Sequence, residues 1–316
     1  MASYKPWYSV VSPHRDIREG HLDESVFAAN LWQVVLGKAT DVYLNPELFF
    51  QKTYLTNGLQ NMLKRVAAGL QGDTDAGDRI LSLQTSFGGG KTHTLVALWH
   101  LAKNGSTLCK KDNSAEVCKL VKMNDKQKPC NVAVFTNQVC DPVQGRTGKD
   151  GIKTRTIWGE LAYQLGGKEL YELVRPNDEA QTTPKGVFSK VLERAAPCLI
   201  LIDELADYCC AATGVKVGNA TLSDQTISFV QELTEAVQSV PNVVLVATLP
   251  ASSLEVANSE VGEEILSRLQ SRFGRMGADM KPVGDNEIYE VISKRLFDEI
   301  GTEKEIKNIV DAYIAT

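Results

Sequence analysis

The eight residues Thr85-Ser86-Phe87-Gly88-Gly89-Gly90-Lys91-Thr92 constrain this chain more than any other stretch. An apolar run, Ile80 to Leu83, precedes them and an amphipathic run, Thr94 to Ala102, follows. That is the order strand, glycine loop, helix. Successive glycines let backbone N–H groups turn inward around an anion, and the helix that follows points its positive end at the same place. Lys91 is then placed to reach terminal phosphates, and the Thr92 hydroxyl to hold a magnesium ion. One departure is visible. The usual pattern opens on glycine, and here that position is Thr85.

A second signal lies downstream. Pro197 to Ile202 is continuously apolar and ends in Asp203-Glu204. A run apolar on both faces reads as a central strand of a covered parallel sheet, and open α/β sheets bind ligands at the carboxyl ends of their strands. There Asp203 could hold the metal and Glu204 could polarise a water for attack on the γ-phosphate. One strand candidate, Asn131 to Thr136, lies between the two motifs, so the acidic strand is third in the series. A further β-branched run, Asn242 to Leu249, is stopped by Pro250. Thr248 at its end either hydrogen-bonds the γ-phosphate or the attacking water, or is a strand residue with good β propensity.

Alternating strands and helices are expected over 79–85, 91–103, 131–136, 156–165, 186–195, 198–203, 224–239, 242–249 and 263–273, the rhythm of a doubly wound α/β sheet. Three regions follow: a helical segment over 1–72, a nucleotide-binding core over 73–282, and the start of a helical lid over 283–316. In the first, Asn45-Pro46 reads as a helix cap followed by a first-turn proline. In the last, Ile288, Val291, Ile292, Leu296 and Ile300 make one helical face that needs a partner, so the chain is expected either to stop partway into the lid or to be followed by more protein. Residues 104–129 read as a solvated insert. Residues 137–155 carry Arg146, Lys149, Lys153 and Arg155, and read either as a contact surface for DNA, protein or a neighbouring subunit, or as a solvated basic loop.

With 316 residues, a net charge of −5, 43% apolar and 23% charged residues, the composition is that of a soluble globular protein. No apolar run reaches membrane-spanning length, and MASYKPWYSV lacks the regions of a signal peptide, so no membrane association and a cytoplasmic location are expected. The seven cysteines show no C-x-x-C pair and read as reduced thiols. After the last strand, Arg268 and Arg272 are one helical turn apart and Arg275 follows a glycine. Arg272 or Arg275 could act as a finger in a neighbouring subunit's site, or these arginines could pair with Glu263, Glu264 or Asp279 on the surface.

Taken together, Gly90-Lys91-Thr92, Asp203-Glu204, Thr248 and the Arg272/Arg275 region make the chain resemble an AAA+ P-loop ATPase of the additional-strand, catalytic-glutamate class. It resembles more narrowly the ATPases called "domain of unknown function four-nine-nine" of phage-defence islands, akin to the BREX-associated ATPases. PWYSVVSPHRDI, TSFGGGKTHTLVALWH, TIWGELAYQLGG, LILIDELADY and EIYEVISKRLF carry that resemblance. It implies a three-layer core with a central parallel sheet and a truncated helical lid. It also implies ATP and Mg2+ as cofactors. The ATP contacts run from Ser86 through Phe87, Gly88, Gly89, Gly90, Lys91 and Thr92 to His93, with the metal on Thr92 and Asp203. Glu204, Lys91, Thr248, Arg272 and Arg275 are the implied catalytic set, and His14 to Ile17 approach the base. The expected activity is ATP hydrolysis that remodels DNA or a partner protein, in a homo-oligomer. The alternative is an ATP-dependent switch or scaffold that recruits a methyltransferase or phosphatase-like protein. A small-molecule kinase would account for the glycine loop but not for Asp203-Glu204.

Overall fold

The apolar runs assemble into one parallel sheet. A computed structural model describes residues 6–20, 29–73, 78–85, 90–110, 115–123, 130–251, 260–274 and 278–314. Strands β2 (Ile80–Thr85), β3 (Asn131–Phe135), β6 (Cys198–Ile202), β9 (Val243–Pro250) and β10 (Ala278–Met280) lie in the order β10-β2-β9-β6-β3, and every neighbouring pair is parallel. All five residues of β6 are buried, as a strand covered on both faces requires. The chain runs from β2 to the far edge at β3, returns to β6, and inserts β9 between β6 and β2.

Two helical groups cover the sheet. On one side are α2 (Leu31–Val35), α3 (Asp41–Leu44), α4 (Pro46–Lys52), α5 (Asn57–Gln71), α6 (Lys91–Leu108) and α7 (Ala115–Leu120), which pack on one another. On the other are α8 (Ile157–Glu179), α9 (Phe188–Ala195), α10 (Leu205–Ala212), α11 (Leu222–Ser239) and α12 (Glu260–Gly274). Asn45 accepts from the N–H groups of Glu47 and Leu48 and Pro46 opens α4, so that start forms as the sequence predicts. Gly69 lets α5 lie directly on the sheet, because a Cβ there would meet Val244 Cγ2 at 2.7 Å.

Several expectations need correction. The first 72 residues are not all helical: β1 (Val11–Pro13), followed by the short α1 (Arg15–Arg18), pairs antiparallel with β11 (Phe297–Ile300). The same pairing ends the C-terminal helix α13 (Ile288–Leu296) early, so Ile300 leaves the predicted helical face; α14 (Glu303–Ile314) follows. Ile288 and Ile292 stay about half exposed, at 48% and 47%. Residues 104–129 are not simply a solvated insert. Helix α6 continues to Leu108, and Val117, Cys118 and Val121 are buried against the core.

Cys109 and Cys118 are disulfide-bonded, against the reading of all seven cysteines as thiols, and the other five are free. Helix α8 is two helices joined at Gly166 and Gly167, whose φ/ψ are not helical (φ −157° and 60°), so the helix expected over 156–165 ends where the sequence places its stop and a second one follows. The basic segment 137–155 contains a hairpin, β4 (Arg146–Thr147) with β5 (Lys153–Thr154), and Arg146 is ion-paired at 2.7 Å with the fully buried Glu160. A similar small hairpin, β7 (Lys216–Val217) with β8 (Ala220–Thr221), leads into α11.

Candidate functional site

Parallel register brings three chain segments to the same sheet edge. Thr85, the last residue of β2, stands opposite Pro250 of β9. Ile202, the last residue of β6, stands opposite Ala247, so Asp203 and Thr248 follow side by side. The Asp203 N–H donates to the Phe135 carbonyl at 2.8 Å and prolongs the ladder by one bond.

Asp203 is the centre of the arrangement. The Thr248 hydroxyl donates to its Oδ1 at 2.6 Å, and the Thr92 hydroxyl donates to its Oδ2 at 2.9 Å. Both carboxylate oxygens are therefore fixed, one from β9 and one from α6. Burial pushes the Asp203 carboxyl up, and the Thr248 and Thr92 hydrogen bonds and the Lys91 charge only partly offset that.

Glu204 turns the chain from β6 into α10. Its backbone is left-handed (φ 54°, ψ 35°), a conformation that costs a side-chain-bearing residue about 1 kcal/mol or more. Its N–H donates to Thr248 Oγ1 at 3.3 Å, and the residue is exposed where Asp203 is buried. Loss of hydration raises its carboxyl pKa first, followed by the negative charges of Asp203 and Asp207. Asp207, in the first turn of α10, was missed by the sequence reading. Its signal was the spacing of three residues after Glu204, which places both acids at the start of one helix.

The loop's end is built as its glycine requires. Gly90, the residue before α6, has φ 77° and ψ 15°, a left-handed conformation that other residues adopt only under strain. Lys91 Nζ donates to the Thr85 carbonyl at 2.5 Å, across the mouth of the loop. Thr85 itself is a paired strand residue, so its position needs extended backbone rather than glycine's freedom.

Gly90, Lys91, Thr92, Asp203, Glu204 and Thr248 thus come together. Ser86, Phe87, Gly88, Gly89 and Arg275 lie outside the described residues. His93 directs its ring to the N-terminal helices: it stacks on Phe49 at 4.6 Å, and its Nε2 lies 3.0 Å from Thr53 Oγ1. Burial, then the charge of Arg295 and the neighbouring His100, lower its pKa to about 4. Arg272 Nη1 donates to Gln231 Oε1, and Arg268 pairs with Asp224 at 2.9 Å and with Glu264 at 3.8 Å, so both arginines of α12 are engaged within this chain. His14 pairs with Asp298 and lies 3.2 Å from the Lys294 carbonyl, which ties the first strand to the C-terminal segment.

The family model of the DUF499 N-terminal domain matches residues 7–273, which spans the sheet from β2 to β9 and nearly all of α12. The chain belongs to the DUF499 family. A search of curated proteins found no match. The DUF499 match holds every candidate residue from Ser86 to Arg272 and stops before Arg275, β10 and the C-terminal helices. Among the described residues of this DUF499 protein, no helix is long and apolar enough to cross a membrane.

Proposed function

We propose that this DUF499 protein binds and hydrolyses ATP with magnesium, in the manner of an AAA+ ATPase. The observation that carries the reading is the Asp203 carboxylate, whose two oxygens are held by Thr92 from the phosphate-loop helix and by Thr248 from the inserted strand. Sheet order supports it, because β9 separates the loop strand β2 from the acid strand β6.

The donor set fits the cofactors. Among the described residues no cluster of three or more His, Cys, Asp or Glu could hold a metal unaided. Magnesium in nucleotide sites takes one or two carboxylates and completes its shell with phosphate oxygens and water, which suits one carboxylate beside one hydroxyl. Bound together, ATP and Mg2+ would supply the scissile phosphoanhydride and the counter-charge. Thr92 and Asp203 would hold the metal, and Lys91 would exchange the Thr85 carbonyl for phosphate oxygens. Glu204, with its pKa raised toward the working pH, would orient a water and take its proton. Thr248, bonded to Asp203 and to the Glu204 backbone, would set the distance between the two acids.

The family resemblance extends the proposal. Hydrolysis would drive remodelling of DNA or a partner protein in phage defence, in homo-oligomers where Arg272 or Arg275 completes a neighbour's site.

The test uses two variants. Lys91→Ala should abolish ATP binding measured by calorimetry. Glu204→Gln should bind ATP at near wild-type affinity and lose at least about a hundredfold in phosphate release, typical of a lost base. Wild-type turnover by Glu204→Gln would remove the assignment of Glu204.

A further inference from the structure

The first turn of α6 carries Lys91 and Thr92, yet Gly90 offers no side-chain cap, and the leading N–H groups of a helix have no partners within it. A turn of that kind frays unless something else holds it. His93 is the third residue of the turn. Its ring stacks on Phe49, with centroids 4.6 Å apart and planes 29° apart, and Tyr43 meets it edge-on at 6.1 Å.

Donor counting sets the direction of the polar contact. The single hydroxyl proton of Thr53 goes to the Phe49 carbonyl, at 2.7 Å. The Thr53 oxygen must then accept at 3.0 Å from His93, so the ring carries its proton on Nε2. Thr53 is buried and caps the C-terminal end of α4. The tie therefore runs from the phosphate-loop helix to the N-terminal helices. It extends further, because Arg295 of α13 lies 5.6 Å from the Tyr43 ring centroid and donates to the Tyr43 hydroxyl at 3.3 Å.

We propose that His93 is a positioning residue: its Nε2–H bond to Thr53 and its stack on Phe49 hold the first turn of α6, and with it Thr92 and Lys91, in register with Asp203. This rests on the reading of the site as one for ATP and magnesium. Through Tyr43 and Arg295, the same ring links the C-terminal segment to the loop.

The experiment measures ATP affinity with Mg2+ and with EDTA, and takes the ratio as the gain due to metal. His93→Leu and Thr53→Val, which keep bulk but break the bond, should cut that gain at least fivefold. Thr53→Ser and His93→Gln, which keep the acceptor and the donor respectively, should stay within twofold of wild type. In the wild-type protein, ring 15N shifts of His93 should report the Nε2–H tautomer. Thr53→Val is isosteric and carries the test alone if His93→Leu does not fold. A wild-type gain in both bond-breaking variants overturns the inference while the ATP reading stands. A wild-type affinity that magnesium does not raise overturns the inference together with the magnesium part of the reading. ATP binding that is absent, or that survives Lys91→Ala, overturns the reading and the inference together.

Discussion

Replacing Arg146 with alanine is expected to destabilise the protein far more than loss of an ordinary surface charge. Its guanidinium faces Glu160 with two nitrogens, Nε at 2.9 Å from Oε2 and Nη2 at 2.7 Å from Oε1. Glu160 is fully buried, while the Arg146 side chain keeps 25% of its exposure. In the variant the carboxylate would retain only Thr154 at 2.6 Å and Gln164 at 2.7 Å as side-chain donors. Leaving a buried charge without its partner costs about 3–5 kcal/mol. The guanidinium also lies 5.8 Å from the Trp32 ring centroid and 5.4 Å from that of Tyr163. Each such contact adds roughly 0.5–1 kcal/mol. The sum, about 4–7 kcal/mol, is a large part of the roughly 5–15 kcal/mol that holds a typical domain together. At roughly 2–4 °C per kcal/mol the melting temperature should fall by on the order of 10 °C or more. Arg146→Lys keeps the charge but not the two-pronged geometry, and should lose about half as much. Urea unfolding of the three proteins at pH 7 is the assay. A loss under about 1 kcal/mol for Arg146→Ala would place this pair among surface ion pairs and refute the reasoning.

Two further perturbations test the site and the insert. Burial raises the Asp203 pKa in the folded state, so its contribution to stability is full below the ordinary carboxylate range and is lost as pH rises through the raised value. Asp203→Asn should then be at least as stable as wild type at pH 7, with any advantage shrinking toward pH 4 in urea midpoints; a loss above about 1 kcal/mol at pH 7 would contradict the sign. Cys109 and Cys118 stand 5.4 Å apart at Cα and close a short loop with a sequence separation of 9. Changing both to Ser should cost up to about 2.5 kcal/mol and abolish the effect of dithiothreitol on melting, whereas seven free thiols in unreduced, unfolded wild type would deny the bond.

The four long strands were legible because burial on both faces leaves a continuous apolar run, as in CLILI over 198–202. Strand β10 was not, because three residues, Ala278 to Met280, are too short to show a pattern. The pairing of β1 with β11 was invisible for a different reason: its partners, Val11 and Ile300, are nearly the whole chain apart, and FDEI fits the helical period equally well. At the site, glycine spacing and the strand-end acids pointed to Gly90, Lys91, Thr92, Asp203 and Glu204, which the structure brings together; the left-handed backbone at Gly90 favours glycine, whereas that at Glu204 does not favour glutamate. Thr248 stood open between two readings, and the structure bonds it to Asp203. The partners of His93 and Arg146 could not be foreseen, since Thr53, Phe49 and Glu160 carry no local signature of what they touch. The disulfide escaped because a spacing of nine residues resembles no motif, and only the packing of α7 beside the end of α6 brings the two sulfurs together.

The place of β9 between β2 and β6 has a consequence for how the protein is made. On the ribosome, β2 emerges early and its neighbour on that side emerges late. At about 5–20 residues per second, the 158 residues from Ser86 through Val243 (243 − 85) take roughly 8–30 s to appear. Through that interval β2 presents an edge with unpaired backbone groups, and β6, once it is made at Cys198–Ile202, has only β3 to cover one side until β9 arrives. The nascent chain should therefore depend on chaperones until about residue 250, and a ribosome stalled before that point would release a product prone to aggregate.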